Sequence, residues 1–75
     1  MPANITFNPA AFKHGVTEAD IRRAIDIYIY EDPLEDYENK YLLLGYDTKG
    51  MLLEIMVTIQ STLANKCQVG VARKK

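Results

Sequence analysis

Histidine is the one residue type that ordinarily changes charge near neutral pH, and this 75-residue chain contains a single one, His14. His14 is therefore the natural candidate for a general acid or base, and Lys13 beside it could hold a phosphate or stabilise developing charge. The bland alternative is a histidine that packs or hydrogen-bonds where two helices join. The Arg73-Lys74-Lys75 cluster is the best phosphate-contact candidate, with Lys40 or Lys49 in support. Tyr28, Tyr30, Tyr37, Tyr41 and Tyr46 could stack bases if some share a face, although tyrosines also line the edges of small cores. Asp32, Glu35 and Asp36 read as a solvated loop rather than an ion site. A lone His and a lone Cys leave no metal-ligand set, and no cofactor is expected. The four glycines are scattered and build no phosphate-cradling loop. Cys67 has no histidine near it in sequence and occupies an apolar strand position, so it reads as a buried structural thiol.

The charges are unevenly spread. Residues 1–38 hold three basic and eight acidic side chains, whereas residues 39–75 hold six basic and two acidic ones. No acid follows Glu54, so the basic end could meet phosphate or an acidic protein, or simply be a solvated tail. A dedicated nucleic-acid binder is usually clearly basic, and an isoelectric point near 5.7 counts against that role.

These residues must be positioned by a small number of elements. Ile5-Thr6-Phe7 alternates like a short strand, and Asn8-Pro9 opens a turn or one helical turn through Phe12, closed at Gly15. Thr17 reads as an N-cap, Asp20 completes a capping box with Asp in place of Glu, and Val16 and Ile21 form a hydrophobic staple. Ile21, Ala24, Ile25 and Tyr28 then make one apolar stripe, which predicts a helix from Glu18 to about Tyr28. Ile27 to Tyr30 fits either helix or strand, and Glu31 to Asn39 reads as an acidic loop. Lys40–Tyr46 and Met51–Gln60 form a hairpin across Asp47-Thr48-Lys49-Gly50, with Gly50 at positive φ. Ser61 to Lys66 reads as a turn, and Cys67 to Arg73 as a last strand with Cys67, Val69 and Val71 on one face.

The expected fold is α+β: an N-terminal short strand and two helices packed on an antiparallel three- to four-stranded sheet, in one domain over residues 1–75. A chain this short has a thin core and often relies on a partner subunit. One cysteine rules out an intramolecular disulfide, and the second sheet face is half apolar, so self-association is expected. With no long apolar run, a cytoplasmic protein is expected, without membrane contact.

Five segments together resemble the BrnT family of bacterial toxins, small ribonucleases related to the RelE/ParE fold. They are Lys13-His14-Gly15-Val16, Asp32-Pro33-Leu34, Tyr41-Leu42-Leu43-Leu44-Gly45, Gly50-Met51-Leu52-Leu53 and Val71-Ala72-Arg73-Lys74, in the family's order from about Ile5 to Lys74. The resemblance implies the toxin half of a toxin–antitoxin pair, a metal-independent endoribonuclease acting on mRNA and neutralised by a cognate antitoxin. It implies catalysis by His14, Arg73 and Lys74, with Lys13 as a substrate contact; Lys40 and Lys49 join as supporting cations. The chain departs from the family in its acidic segment, with five acids from Glu31 to Glu38, and in lacking the basic helix that usually follows Ala-Arg-Lys. The alternative is a non-catalytic interaction or dimerisation module of the same fold.

Overall fold

The computed structural model describes residues 4–35, 39–60 and 66–75. Five strands form one sheet: β1 (Asn4–Phe7), β2 (Tyr30–Pro33), β3 (Lys40–Tyr46), β4 (Leu52–Gln60) and β5 (Lys66–Lys74), in spatial order β1-β5-β4-β3-β2. Neighbours from β2 to β5 run antiparallel, whereas β1 runs parallel to β5. A 3-10 turn (Pro9–Phe12) and one helix, α1 (Glu18–Asp26), are the helical elements among the described residues.

The architecture corrects the expected two helices on an antiparallel sheet of three or four strands. About half of the described residues are strand, and the sheet is mixed. Pro9–Phe12 is too short to continue as a helix once Gly15 turns left-handed at φ 80°. The segment read as an acidic loop begins with a strand, because Tyr30–Pro33 pairs with Tyr41–Leu44 at the sheet edge. Pro33 can stand there because an edge strand has one side that needs no amide donor. Helix α1 also stops two residues short of Tyr28. The Ile29 amide leaves the helical ladder and donates to the Leu44 carbonyl at 2.8 Å, which starts the edge strand. The expected turn over Ser61 to Asn65, and Asp36, Tyr37 and Glu38, lie outside the described residues.

The start of α1 follows the expected capping chemistry. The Asp20 amide donates to Thr17 Oγ1 at 3.3 Å, and the Thr17 hydroxyl donates to Asp20 Oδ2 at 3.0 Å. Val16 and Ile21 are both buried. Thr17→Ala should therefore cost about 1 kcal/mol in chemical denaturation, and an unchanged midpoint would contradict the cap.

Alternation sorts the sheet into two faces. Leu43, Leu53, Ile55, Val57, Cys67, Val69 and Ala72 form the covered face, packed against Ala11 of the 3-10 turn and Ile21, Ala24 and Ile25 of α1. Ile5 and Phe7 extend this core from β1. Phe7 stacks on Phe12 with centroids 5.5 Å apart, and the Arg22 guanidinium lies 5.2 Å over the Phe7 ring. Where α1 crosses β3, Gly45 faces the backbone of Ala24, and a Cβ there would lie 2.9 Å from the Ala24 carbonyl carbon and closer still to its oxygen.

One irregularity governs β5. Val57 pairs with Val69, but Met56 pairs with Val71, so Gly70 is an extra residue bulged out of the ladder. The bulge resets the alternation. Ala72, not Val71, follows Val69 into the core, and Val71 joins Met56 on the open face, which corrects the expected Cys67-Val69-Val71 face. Cys67 is buried as expected, and burial pushes its thiol pKa up.

Candidate functional site

The register places Tyr30 and Asp32 of β2 on the open face, with Lys40, Leu42, Leu44 and Tyr46 of β3. β4 adds Leu52, Glu54, Met56 and Thr58, and β5 adds Gln68, Val71 and Arg73. No described element packs over them. Tyr30 and Tyr46 are 50% and 43% exposed and Met56 38%, while Leu42, Leu44, Leu52 and Val71 are half-buried. Toward the Lys40 end, Leu34, Lys40, Met56, Thr58 and Val71 line a shallow groove of about 430 Å³.

The candidate catalytic residues do not converge. His14 is exposed in the turn between the 3-10 segment and α1, both of which belong to the covered face. Arg73 lies on the open face, so the sheet stands between them. Arg73 is also occupied: its Nε and one terminal nitrogen lie 2.7 and 2.6 Å from Glu54 Oε1, and Lys75 Nζ lies 3.6 Å from Oε2. The hydrogen bond from Arg73 holds the Glu54 carboxyl below its usual range, outweighing partial burial. Lys74 pairs with Leu53 and points to the covered side at an exposed end of the sheet. Lys40 stands opposite Thr58, four residues along β4 from Glu54, which sets it about 13 Å along the sheet and roughly 10 Å across it from Arg73. Lys13 caps the 3-10 turn. The Lys13–His14 pair, Lys40 and the Arg73–Lys74 pair therefore sit at three separate places.

Lys49 serves a different group. It lies 3.6 Å from Asp20, whose Oδ1 accepts from the Thr48 hydroxyl at 2.5 Å and the Thr48 amide at 3.2 Å. Asp20 thus clasps the start of α1 to the β3–β4 turn. The turn itself is closed by Asp47, whose Oδ1 accepts from the Lys49 and Met51 amides at 2.8 Å each, with Gly50 at φ 80° as expected. The Thr48 hydroxyl is the main cause that lowers the Asp20 pKa from 3.8 to about 2, aided by the Thr48 amide, Thr17 and Lys49.

This clasp has a pH signature. A carboxyl whose folded pKa is depressed adds stability above its ordinary pKa and loses it as pH falls through the folded value. The midpoint of thermal unfolding should therefore fall as pH drops from about 4 to about 2. In Asp20→Asn the drop should be shallower, because an amide cannot titrate; equal slopes for both proteins would contradict the clasp.

Sequence reasoning missed Glu54 as the partner of Arg73, and Glu31 to Pro33 as part of a strand, while it left Tyr30 open between helix and strand. The open-face alternation of β4 already contained Glu54, but its neighbour depended on the Gly70 bulge. Among the described residues no cluster of three or more His, Cys, Asp or Glu side chains could hold a metal ion, and no helix is long and apolar enough to cross a membrane. Comparison with family models, with curated proteins and with solved structures finds no match to this chain.

Proposed function

We propose that this domain is a protein-interaction module whose working surface is the open face of the sheet. The observation that carries the reading is the contrast between the faces. One is sealed by α1 and the 3-10 turn, and the other presents Tyr30, Leu42, Leu44, Tyr46, Met56 and Val71 with no described element above them. A contiguous apolar patch on so small a domain is characteristic of a surface that is covered in use. The acid at its centre suits that purpose, since Glu54 is already paired with Arg73 and Lys75 and brings no orphan charge into a contact.

Two surface variants test the reading. Met56→Lys sets a charge at the centre of the patch, and Asp26→Lys does so on the exposed side of α1. Proximity labelling in the native host should give a set of proteins, second copies of the chain included, that Met56→Lys loses and Asp26→Lys keeps. Identical sets from all three proteins would overturn the module.

A ribonuclease of the BrnT kind is the second proposal, and the run of cations on β5 without any acid favours it. Against it stand the Arg73–Glu54 pair and the position of His14. A metal-free phosphodiester cleavage needs a proton acceptor and cations around one phosphate, where charge grows in the transition state. Induced expression in a host lacking any antitoxin decides between the two. Growth arrest with cleaved mRNA would favour the ribonuclease, and normal growth with intact mRNA the interaction module.

A further inference from the structure

We infer that the occupant of the open face is a second copy of this chain, seated sheet against sheet about a two-fold axis that runs along the seam between β3 and β4. The inference rests on the interaction reading and names its partner.

Size supports a whole interface here. Strands β2 to β5, four to nine residues long and about 4.8 Å apart, make a face on the order of 450 Å² before side-chain relief. A stable interface takes about 800 Å² from each partner, so this one face, on a domain 33 Å in its longest dimension, is of the right order by itself. Two such faces would close into a sandwich with an apolar centre, as stacked sheets do.

Charge selects both the partner and the axis. On the open face β2 carries Asp32 and no base, and β5 carries Lys66 and Arg73 and no acid. These strands lie on opposite sides of the β3–β4 seam. A two-fold axis across the strands would set β2 on β2 and β5 on β5, like on like. An axis along the strands sets β2 of each copy over β5 of the other, and β3 over β4. Strand level is then preserved, and the register can be read directly. Leu42, Met56, Asp32 and Val71 share one level, so Leu42 meets the partner's Met56 and Asp32 meets the partner's Val71. Tyr30, Leu44, Glu54 and Arg73 share the next, which brings the Tyr30 ring of each copy over the Arg73 guanidinium of the other. Asp32 falls between the levels of the basic Lys66 and Arg73. The face is complementary to itself in that one orientation.

The test uses light scattering and sedimentation at high micromolar concentration, with circular dichroism to confirm that each variant is folded. The wild type should weigh twice its 8.5 kDa, and Met56→Glu should be a folded monomer. Asp32→Lys faces the partner's basic strand, and Val71→Asp faces the partner's Asp32. Each should weaken its own dimer by about tenfold or more, as like charges do when opposed. Mixing the two variants should restore association, because one contact becomes Lys against Asp while the other keeps the native Asp32 and Val71. A monomeric wild type would overturn the second copy while leaving a different protein as occupant. A dimer untouched by Met56→Glu would overturn the face, and the interaction reading with it. Dimers lost in both single variants but not regained in the mixture would overturn the axis.

Discussion

Gly45→Ala should destabilise the domain by about 3 kcal/mol or more, the upper end for overpacking. The added methyl has no flexible side chain to displace; it meets the carbonyl group and Cα of Ala24, at 2.9 Å from the carbon and 3.1 Å from the Cα. The clash is relieved only by lifting α1 from β3, and Ile21 and Ile25, both fully buried, would lift with it. A domain of this length has roughly 4–11 kcal/mol in total, so the loss is a large share. In Tm it corresponds to roughly 12–24 °C. Leu44→Ala, on the neighbouring half-buried position of the open face, is the control and should cost much less in urea unfolding. Equal midpoints for the two variants would contradict the close crossing.

Deleting Gly70 should leave both faces of the sheet as they are. Side chains alternate with a period of two, and Gly70 is the one residue of β5 that stands outside that count. Without it Val71 still stands opposite Met56, Ala72 still enters the core against Ile55, and Arg73 still meets Glu54. The shortened strand becomes a regular ladder, and what is lost is the local twist that the bulge gives. Gly70→Ala should be mild as well. A Cβ at this position meets the Met56 carbonyl oxygen at 3.7 Å, an ordinary contact. The expected pair of results is a cooperative urea transition in both variants, and loss of that transition in the deletion would contradict the bulge.

These two glycines also mark where sequence reading succeeded and where it ended. The N-terminus of α1, the hairpin turn with Gly50 and the buried face of β4 follow from local rules, because caps, turns and period-two patterns depend on residues close in sequence. The extra strand β2, the parallel place of β1 and the Gly70 bulge depend on pairing between distant segments. Tyr30–Pro33 has poor strand composition of its own and is extended because β3 offers an unpaired edge. A glycine within a strand pattern is a recognised bulge signal, and at Gly70 it was the one available hint that Val71 and Arg73 share the open face. The candidate site was legible as residue types only. Arg73 reads as a free cation until the strand order sets Glu54 beside it, and the hydroxyl of Thr48, 28 residues from Asp20, carries no sign of its role.

The parallel pairing of β1 with β5 sets an order of assembly. Residues 4–7 find their partners only at 66–69, so the first strand made is the one whose ladder waits longest. The meander from β2 to β5 closes through short connections, whereas β1 must close a loop that spans nearly the whole described chain, at a higher entropic cost. During synthesis Ile5 and Phe7 therefore remain uncovered until β5 has left the ribosome. A truncated nascent chain would present an apolar strand without its edge, the kind of segment on which chaperones act.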